Sequence, residues 1–448
     1  MASTPFSRRE FLGTAAATTG LLIFPHASLF AKRTDALRLA GIGVGNKGRH
    51  NLDQLADEDW VAFCDVDTRF LGSAGERWPK AKAYRDYRKM FEAEGDRLDG
   101  VVISTTDHMH APATAVALQL GIPVYCEKPL THTVTEARVI AELAAEKKVA
   151  TQMGTQIHAT SNYRRVVEWI RAGAIGDVKE VHCWCNKGWS DGRFGPAAKV
   201  PSHLDWDLWL GAAKERDYCD NVHPGNWRRF WEYGAGTFGD MACHIVDLPF
   251  WALDLKYPTR VKCRGPEPHD VGAPSWTIAE FDFPRKKSDG SDGSLTLTWS
   301  DGGHHTDLVK NTLDAEGNPL ANWGLGILFV GEKGMLVADY GRRQLLPKGL
   351  AEGFTPPAQS IPDSVGHWKE WTNAIRNGTP TTCSFDYSGP LTETVLLGIV
   401  AYRSGMEFAW DAANLRAGSS ARANELLTKD YRAGFEVVGL ERRKAKSL

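Results

Sequence analysis

Between residues 36 and 153, short apolar runs alternate with stretches whose apolar positions recur every three or four residues. The runs at 36–42, 61–64, 100–104, 123–126 and 149–153 have the length and continuity of strands buried on both faces. Helical spacing follows the first run at Leu52, Leu55 and Ala56, and a second helix over 112–120 stops at Gly121. Thr133-Val-Thr-Glu136 has the form of a capping box that opens a helix to 148. Strands alternating with helices predict an α/β domain with a doubly wound parallel sheet.

Near residue 155 the rhythm changes. A helix over 161–171 ends at Gly173, and strand-like runs then recur at 178–185, 260–264, 276–283, 295–300, 327–330 and 335–339. Consecutive strands of this kind pair antiparallel or mixed. Helices at 240–254, 367–377 and 390–405 would cover one face of an open sheet. The expected organisation is a leader at 1–31, a nucleotide-binding domain at 35–155, an α+β domain at 156–410 and a tail at 411–448.

Composition narrows the class. A chain of 448 residues is too long for one compact core. Its 53 basic and 55 acidic side chains give a formal net charge of −2, which argues against a nucleic-acid or anionic-membrane partner. No apolar run approaches the roughly 20 residues that span a bilayer. The first residues do carry an address: Arg8-Arg9 with Phe11-Leu12, an apolar stretch at 14–24 and small residues up to Ala31. Their charge, length and order describe an export signal, and the arginine pair resembles the twin-arginine type, so a periplasmic or otherwise exported protein is expected. The eight cysteines form no dense disulfide framework. Cys183 and Cys185, two apart on a strand, read as one buried face rather than a zinc site, and no metal is expected.

Gly43-Val-Gly45-Asn46-Lys47-Gly48 follows the first strand and opens a helix, with Asp65 twenty residues beyond Gly45 at the end of the second strand. Such glycines let backbone amides approach a pyrophosphate, and the carboxylate accepts hydrogen bonds from the adenosine ribose while repelling a 2′-phosphate. The cofactor expected of this Rossmann pattern is therefore NAD. Lys128, in Glu127-Lys128-Pro129, is held at a carboxyl-terminal strand edge, where it can act as acid or base on a hydroxyl. A surface lysine paired with Glu127 is the alternative. Asp240, His244 and Asp247 follow i, i+4, i+7 spacing on a helix, which suits an aspartate orienting a basic imidazole. A helix-capping aspartate and a core histidine would give the same pattern.

Taken together, Gly43–Gly48, Thr106-Asp107-His108-Met-His110, Glu127-Lys128-Pro129, Ala172-Gly-Ala-Ile-Gly176 and Asp240-Met-Ala-Cys-His244 resemble, in order, the Gfo/Idh/MocA oxidoreductases. The resemblance spans most of residues 36–405, with Thr106 departing from the family's usual proline. It implies that Lys128 and His244 flank the reacting hydroxyl, with Asp240 supporting them. It also implies that Asn46, Lys47, Thr105, His108, Glu127 and Pro129 lie along the cofactor, and that the chain pairs with copies of itself through its open sheet. Seven of the 16 tryptophans fall between Trp184 and Trp251. From that segment Lys187, Trp227 and Arg228, with Asp247, are candidates for a sugar site, although large aromatics usually fill cores.

The expected activity is NAD-dependent oxidation of a secondary hydroxyl of a sugar or polyol. Free NAD is scarce outside the cytoplasm, so an exported enzyme would keep its cofactor bound. One alternative is a redox-neutral glycosidase or lyase working through a 3-keto sugar; another is a sugar sensor that binds NAD without catalysis.

Overall fold

A computed structural model describes residues 35–440; the export-signal reading, with Arg8 and Arg9, and the tail beyond 440 lie outside the described residues. The first sheet holds β1 (Arg38–Ile42), β2 (Asp59–Cys64), β3 (Lys82–Tyr84), β4 (Gly100–Ile103), β5 (Val124–Cys126) and β6 (Thr151–Met153). All six run parallel in the order β3-β2-β1-β4-β5-β6. The strand order reverses between β1 and β4, which opens a crevice at their carboxyl ends.

The helices of this domain are α1 (Lys47–Gln54), α2 (Thr68–Arg77), α3 (Tyr87–Glu94), α4 (Asp107–Gln119) and α5 (Val134–Lys147). Asp67 and Asp86 cap α2 and α3 by accepting from the amides of Arg69 and Arg88. The capping box of Thr133 and Glu136 forms as its spacing predicts. Helix α4 starts earlier than its apolar periodicity suggests and passes through Pro112. Proline has no N–H for the carbonyl of His108, and Lys429 Nζ takes that carbonyl instead at 3.2 Å.

The second sheet holds nine strands: β7 (Val178–Cys185), β8 (Arg260–Arg264), β9 (Ile278–Lys286), β10 (Asp292–Asp301), β11 (Leu325–Gly331), β12 (Met335–Ala338), β13 (Arg343–Leu346), β14 (Phe408–Asp411) and β15 (Arg416–Ala417). It is mixed: β7 pairs parallel with β10 and antiparallel with β11. Leu295, Leu297 and Trp299 alternate along β10 into the main core. The helices of this half are α6 (Ser161–Arg171), α7 (Trp206–Leu210), α8 (Gly236–Ile245), α9 (Asp247–Leu253), α10 (Asp307–Asn311), α11 (Lys348–Gly353), α12 (His367–Asn377), α13 (Phe385–Ser404) and α14 (Ala421–Glu425). The long α13 joins the core on one face, while Val309, Leu320 and Trp323 pack against Trp184 and Leu328 in a separate cluster. Phe238 of α8 stacks on Trp299 with centroids 5.4 Å apart, which fixes that helix to the sheet.

Two segments tie the halves together over the crevice. Residues 186–235 build a small core from Trp206, Trp209, Trp227, Phe230 and Tyr233. That core leans on the first domain, where Thr68 N donates to His203 O at 2.9 Å and Asp205 N to Val66 O at 3.0 Å. Farther on, residues 427–436 return to the first domain, where Tyr431 OH donates to Glu136 Oε1 at 2.8 Å and Arg88 lies over Phe435 at 4.1 Å.

Candidate active site

The turn after β1 is shaped by its glycines. Gly43 adopts φ +77°, and a Cβ there would lie 2.5 Å from Ser104 O; one on Gly48 would lie 1.9 Å from Gly43 O. No other residue fits so tight a turn, and the approach leaves backbone amides at the start of α1 open to an anion. A cavity of about 520 Å³ runs past this turn, lined by Gly43, Gly45, Asn46, Lys47, Asp65 and Thr105 among others. Asp65 is held by the amides of Val44 and Asp67 at 2.8 and 2.9 Å. Burial raises its pKa to about 6 against the pull of those donors. Glu127 closes the floor: Asn51 Nδ2 donates to it at 2.9 Å, and Lys47 Nζ lies 3.7 Å away. These residues fit NAD, with Gly43–Gly48 at its pyrophosphate and Asp65 at its adenosine ribose.

Lys128, at the end of β5, lines the same cavity and meets Asp240 of α8. Lys128 Nζ donates to Asp240 Oδ1 at 2.5 Å and to the Asp240 carbonyl at 2.8 Å. Asp240 also receives Trp189 Nε1 at 2.9 Å and Lys187 Nζ at 3.1 Å on Oδ2, with Arg228 Nε 2.9 Å from Oδ1. Burial would raise its pKa, but Lys128, Arg228 and Lys187 hold it well below the usual carboxylate range. His244 lines the cavity one turn further on. Its Nδ1 lies 3.0 Å from Thr155 Oγ1, whose proton goes to the Cys243 carbonyl at 3.2 Å. Nδ1 must then be the donor, which leaves the lone pair on Nε2. Burial, then the charge of Lys128, pushes the His244 pKa well down, so the ring is a neutral base.

Two family models match the chain in sequence. The Gfo/Idh/MocA oxidoreductase model for the NAD-binding Rossmann fold matches residues 37–155, and its partner for the carboxyl-terminal α/β domain matches 176–292. The chain belongs to the Gfo/Idh/MocA family. It is 32% identical over 151 residues to D-apiose dehydrogenase of Paraburkholderia graminis, an alignment covering 33% of this chain and 40% of that protein. It is 36% identical over 134 residues to a glycosyl hydrolase family 109 protein of Stenotrophomonas maltophilia, covering 27% of this chain and 29% of the relative. These alignments span less than half the length of either relative. The crystal structure of GenD2 from gentamicin A biosynthesis, in complex with NAD, shares the fold at a TM-score of 0.55 and 19% identity, over 87% of this chain and all of that one.

Within this Gfo/Idh/MocA chain most of the expected site residues converge, and three do not. His108 is fully buried away from the cavity, with Nε2 3.1 Å from the Leu210 carbonyl; His110 lines the cavity instead. Residues two apart on a helix point about 200° around it, so the two histidines cannot share a face. Asp247 also lies elsewhere, because α8 ends at Ile245 and the chain restarts as α9 at Asp247. Its carboxylate is fully buried, 2.9 Å from His158 Nδ1 and 2.7 Å from Tyr387 OH. Pro129 contributes its carbonyl to His110 Nδ1 at 2.7 Å rather than a surface of the cleft. The tryptophans divide as well: Trp189 and Trp227 reach the site, while Trp206 and Trp209 stack on each other in the covering segment.

Sequence reasoning missed Thr155, Phe435 and the pair Asn51–Trp368. Trp368 Nε1 donates to Asn51 Oδ1 at 3.0 Å and so orients the amide that holds Glu127. Thr155 carried one usable signal, since it lies two residues past the last strand of the parallel sheet, at the edge where such sheets place ligands.

Proposed function

We propose that this protein is an NAD-dependent oxidoreductase that oxidises a secondary hydroxyl of a sugar or polyol and keeps its cofactor tightly bound. The observation that carries the reading is that Lys128 and His244 both line the NAD cavity, with Lys128 bound to Asp240. NAD, when bound, supplies the hydride acceptor. His244 Nε2 accepts the hydroxyl proton, because its other nitrogen is committed to Thr155. Lys128 gives two protons to Asp240 and has a third for the substrate oxygen, which gains negative charge as its proton leaves. Asp240 positions that ammonium. The products are a ketone, reduced cofactor and a protonated His244.

The likeness to D-apiose dehydrogenase supports this chemistry, and the likeness to family 109 proteins supports a second reading. In the latter, oxidation at C3 would acidify the C2 proton, the C2 proton and the C1 leaving group would depart by elimination, water would add across C1 and C2, and bound NADH would supply the hydride that restores the C3 hydroxyl. Export with the cofactor inside, and self-pairing through the mixed sheet, belong to the same proposal. The test is an absorbance spectrum and nucleotide extraction of the purified protein, before and after adding sugars and glycosides. NADH absorbance on adding a sugar supports the oxidoreductase. Glycoside cleavage with no net NADH selects the second reading, and absence of both defeats the enzyme proposal.

A further inference from the structure

Asp240 is surrounded by more positive charge than it can balance. Lys128, Lys187 and Arg228 all lie within 3.1 Å of its carboxylate, and Trp189 takes a fourth contact. Two other carboxylates lie nearby. Glu127 faces Lys47 at 3.7 Å. Asp107 is buried in the field of Arg228 first and then of His110 and Lys128, and neither of its oxygens has a hydrogen-bond partner among the described residues. Its charge is offset by His110, whose two ring nitrogens face the carbonyls of Pro129 and Thr105 at 2.7 and 3.1 Å; only an imidazolium satisfies both. The three cations against one carboxylate therefore leave two positive charges here, with Lys128 and Arg228 lining the cavity and Lys187 beside them on Asp240.

Arg228 is also built to use that surplus. Its guanidinium lies on the Trp227 ring at 4.1 Å and lines the cavity, and its side chain is 23% exposed. Among the described residues no acceptor bonds its two terminal nitrogens. Lys187 is 47% exposed and spends one contact on Asp240 and a weak one on the Met241 sulfur. A planar pair of N–H donors with a second cation beside it matches a carboxylate in geometry and charge. We infer that the substrate is an acidic sugar or polyol, a uronate or aldonate, whose carboxylate is held by Arg228 and Lys187 while Lys128 and His244 address a neighbouring hydroxyl. This rests on the reading of the cavity as a substrate site for a hydroxyl-bearing carbohydrate.

Titration calorimetry on the NAD-loaded full chain tests it, using D-glucuronate, D-galacturonate and D-gluconate, their neutral amides, and glucose 6-phosphate. The expected result is that at least one acid binds about tenfold or more tighter than its amide. Arg228→Gln should remove most of that preference with the extractable NAD per chain unchanged, and Lys187→Met should weaken it in part. Equal binding of acids and amides would overturn the inference. So would a preference for glucose 6-phosphate over every acid, or a preference for acid that survives both substitutions. Binding is read without turnover, so the two proposals fail separately. Acid-selective binding with no NADH formed defeats the oxidoreductase, whereas NADH formed from sugars bound no better as acids than as amides defeats the carboxylate site.

Discussion

Lys128 separates catalysis from cofactor binding more cleanly than any other side chain. Its Nζ contacts are to Asp240 alone, and the glycine turn and Asp65 lie elsewhere along the cavity. Lys128→Ala should lower turnover by about 10²–10⁴-fold while the protein still carries NAD; unchanged turnover would remove Lys128 from the mechanism, and a sensor would keep its ligand response. Thr155 makes a subtler case, because it acts only through His244. Thr155→Val removes the acceptor that fixes the imidazole tautomer, and should lower kcat about tenfold and shift the acid limb of the pH–rate profile, with Thr155→Ser restoring both. A valine variant with the original profile would leave Thr155 a packing residue. Asp65 gives a third test. Its pKa near 6, against 3.8 for an unperturbed aspartate, means that protons compete with NAD as the pH falls. NAD affinity should level off well above pH 6 and weaken as the pH falls through it, read by titration calorimetry across that range. The same raised pKa makes the folded apo-protein bind a proton more readily than the unfolded chain between those two values, so this group's contribution to apo stability falls as pH rises through them.

Elements decide which of these residues could be foreseen. The turn from β1 into α1 is local: three glycines, a strand and a helix in one stretch, with Asp65 one strand later. Gly48→Ala tests how tightly that element is set, since its Cβ would meet a backbone oxygen at 1.9 Å rather than a side chain able to swing away. The variant should lose copurified NAD and unfold at a lower temperature; retention of stoichiometric NAD would show that α1 can shift without loss. Periodicity likewise placed α6 and α12 at their observed ends, because their apolar faces are strong and single. It failed where a tertiary contact replaced a local one. Helix α4 continues through Pro112 because Lys429, 321 residues away along the chain, takes the freed carbonyl. The predicted helix over 240–254 splits at Val246, and that break turns Asp247 from the cavity into the His158–Tyr387 cluster. Nor does spacing bring Lys187 and Arg228 to Asp240, since that convergence needs β7, the covering segment and α8 already packed.

At the scale of the whole molecule, cofactor retention depends on what lies across the crevice rather than on the nucleotide contacts alone. The covering segment reaches Thr68 and Val66 from one side, and the carboxyl-terminal stretch brings Phe435 into the cavity lining from the other. The latter is anchored by Lys429, whose Nζ is 3.3 Å from the buried Glu136, and by Tyr431 on the same carboxylate. Arg432 ties it in turn to Asp207 of the covering segment. A ligand enclosed by two clamped segments leaves only when one opens, so its dissociation rate reports their stability. A chain ending at residue 427 keeps the glycine turn, Asp65 and the Lys128–Asp240 pair, and should bind NAD more weakly mainly through faster release. The expected change is about tenfold or more in the off-rate, with a smaller change in the on-rate, measured by displacement of NADH fluorescence. Because Glu136 and the His108 carbonyl would also lose partners, a drop of about 2–4 kcal/mol in unfolding free energy should accompany it. Lys429→Met separates the two effects: it removes the anchor at Glu136 and His108 but leaves Phe435 in the chain. If that variant is destabilised yet releases NAD at the original rate, retention belongs to the aromatic in the cavity wall and not to the clamp.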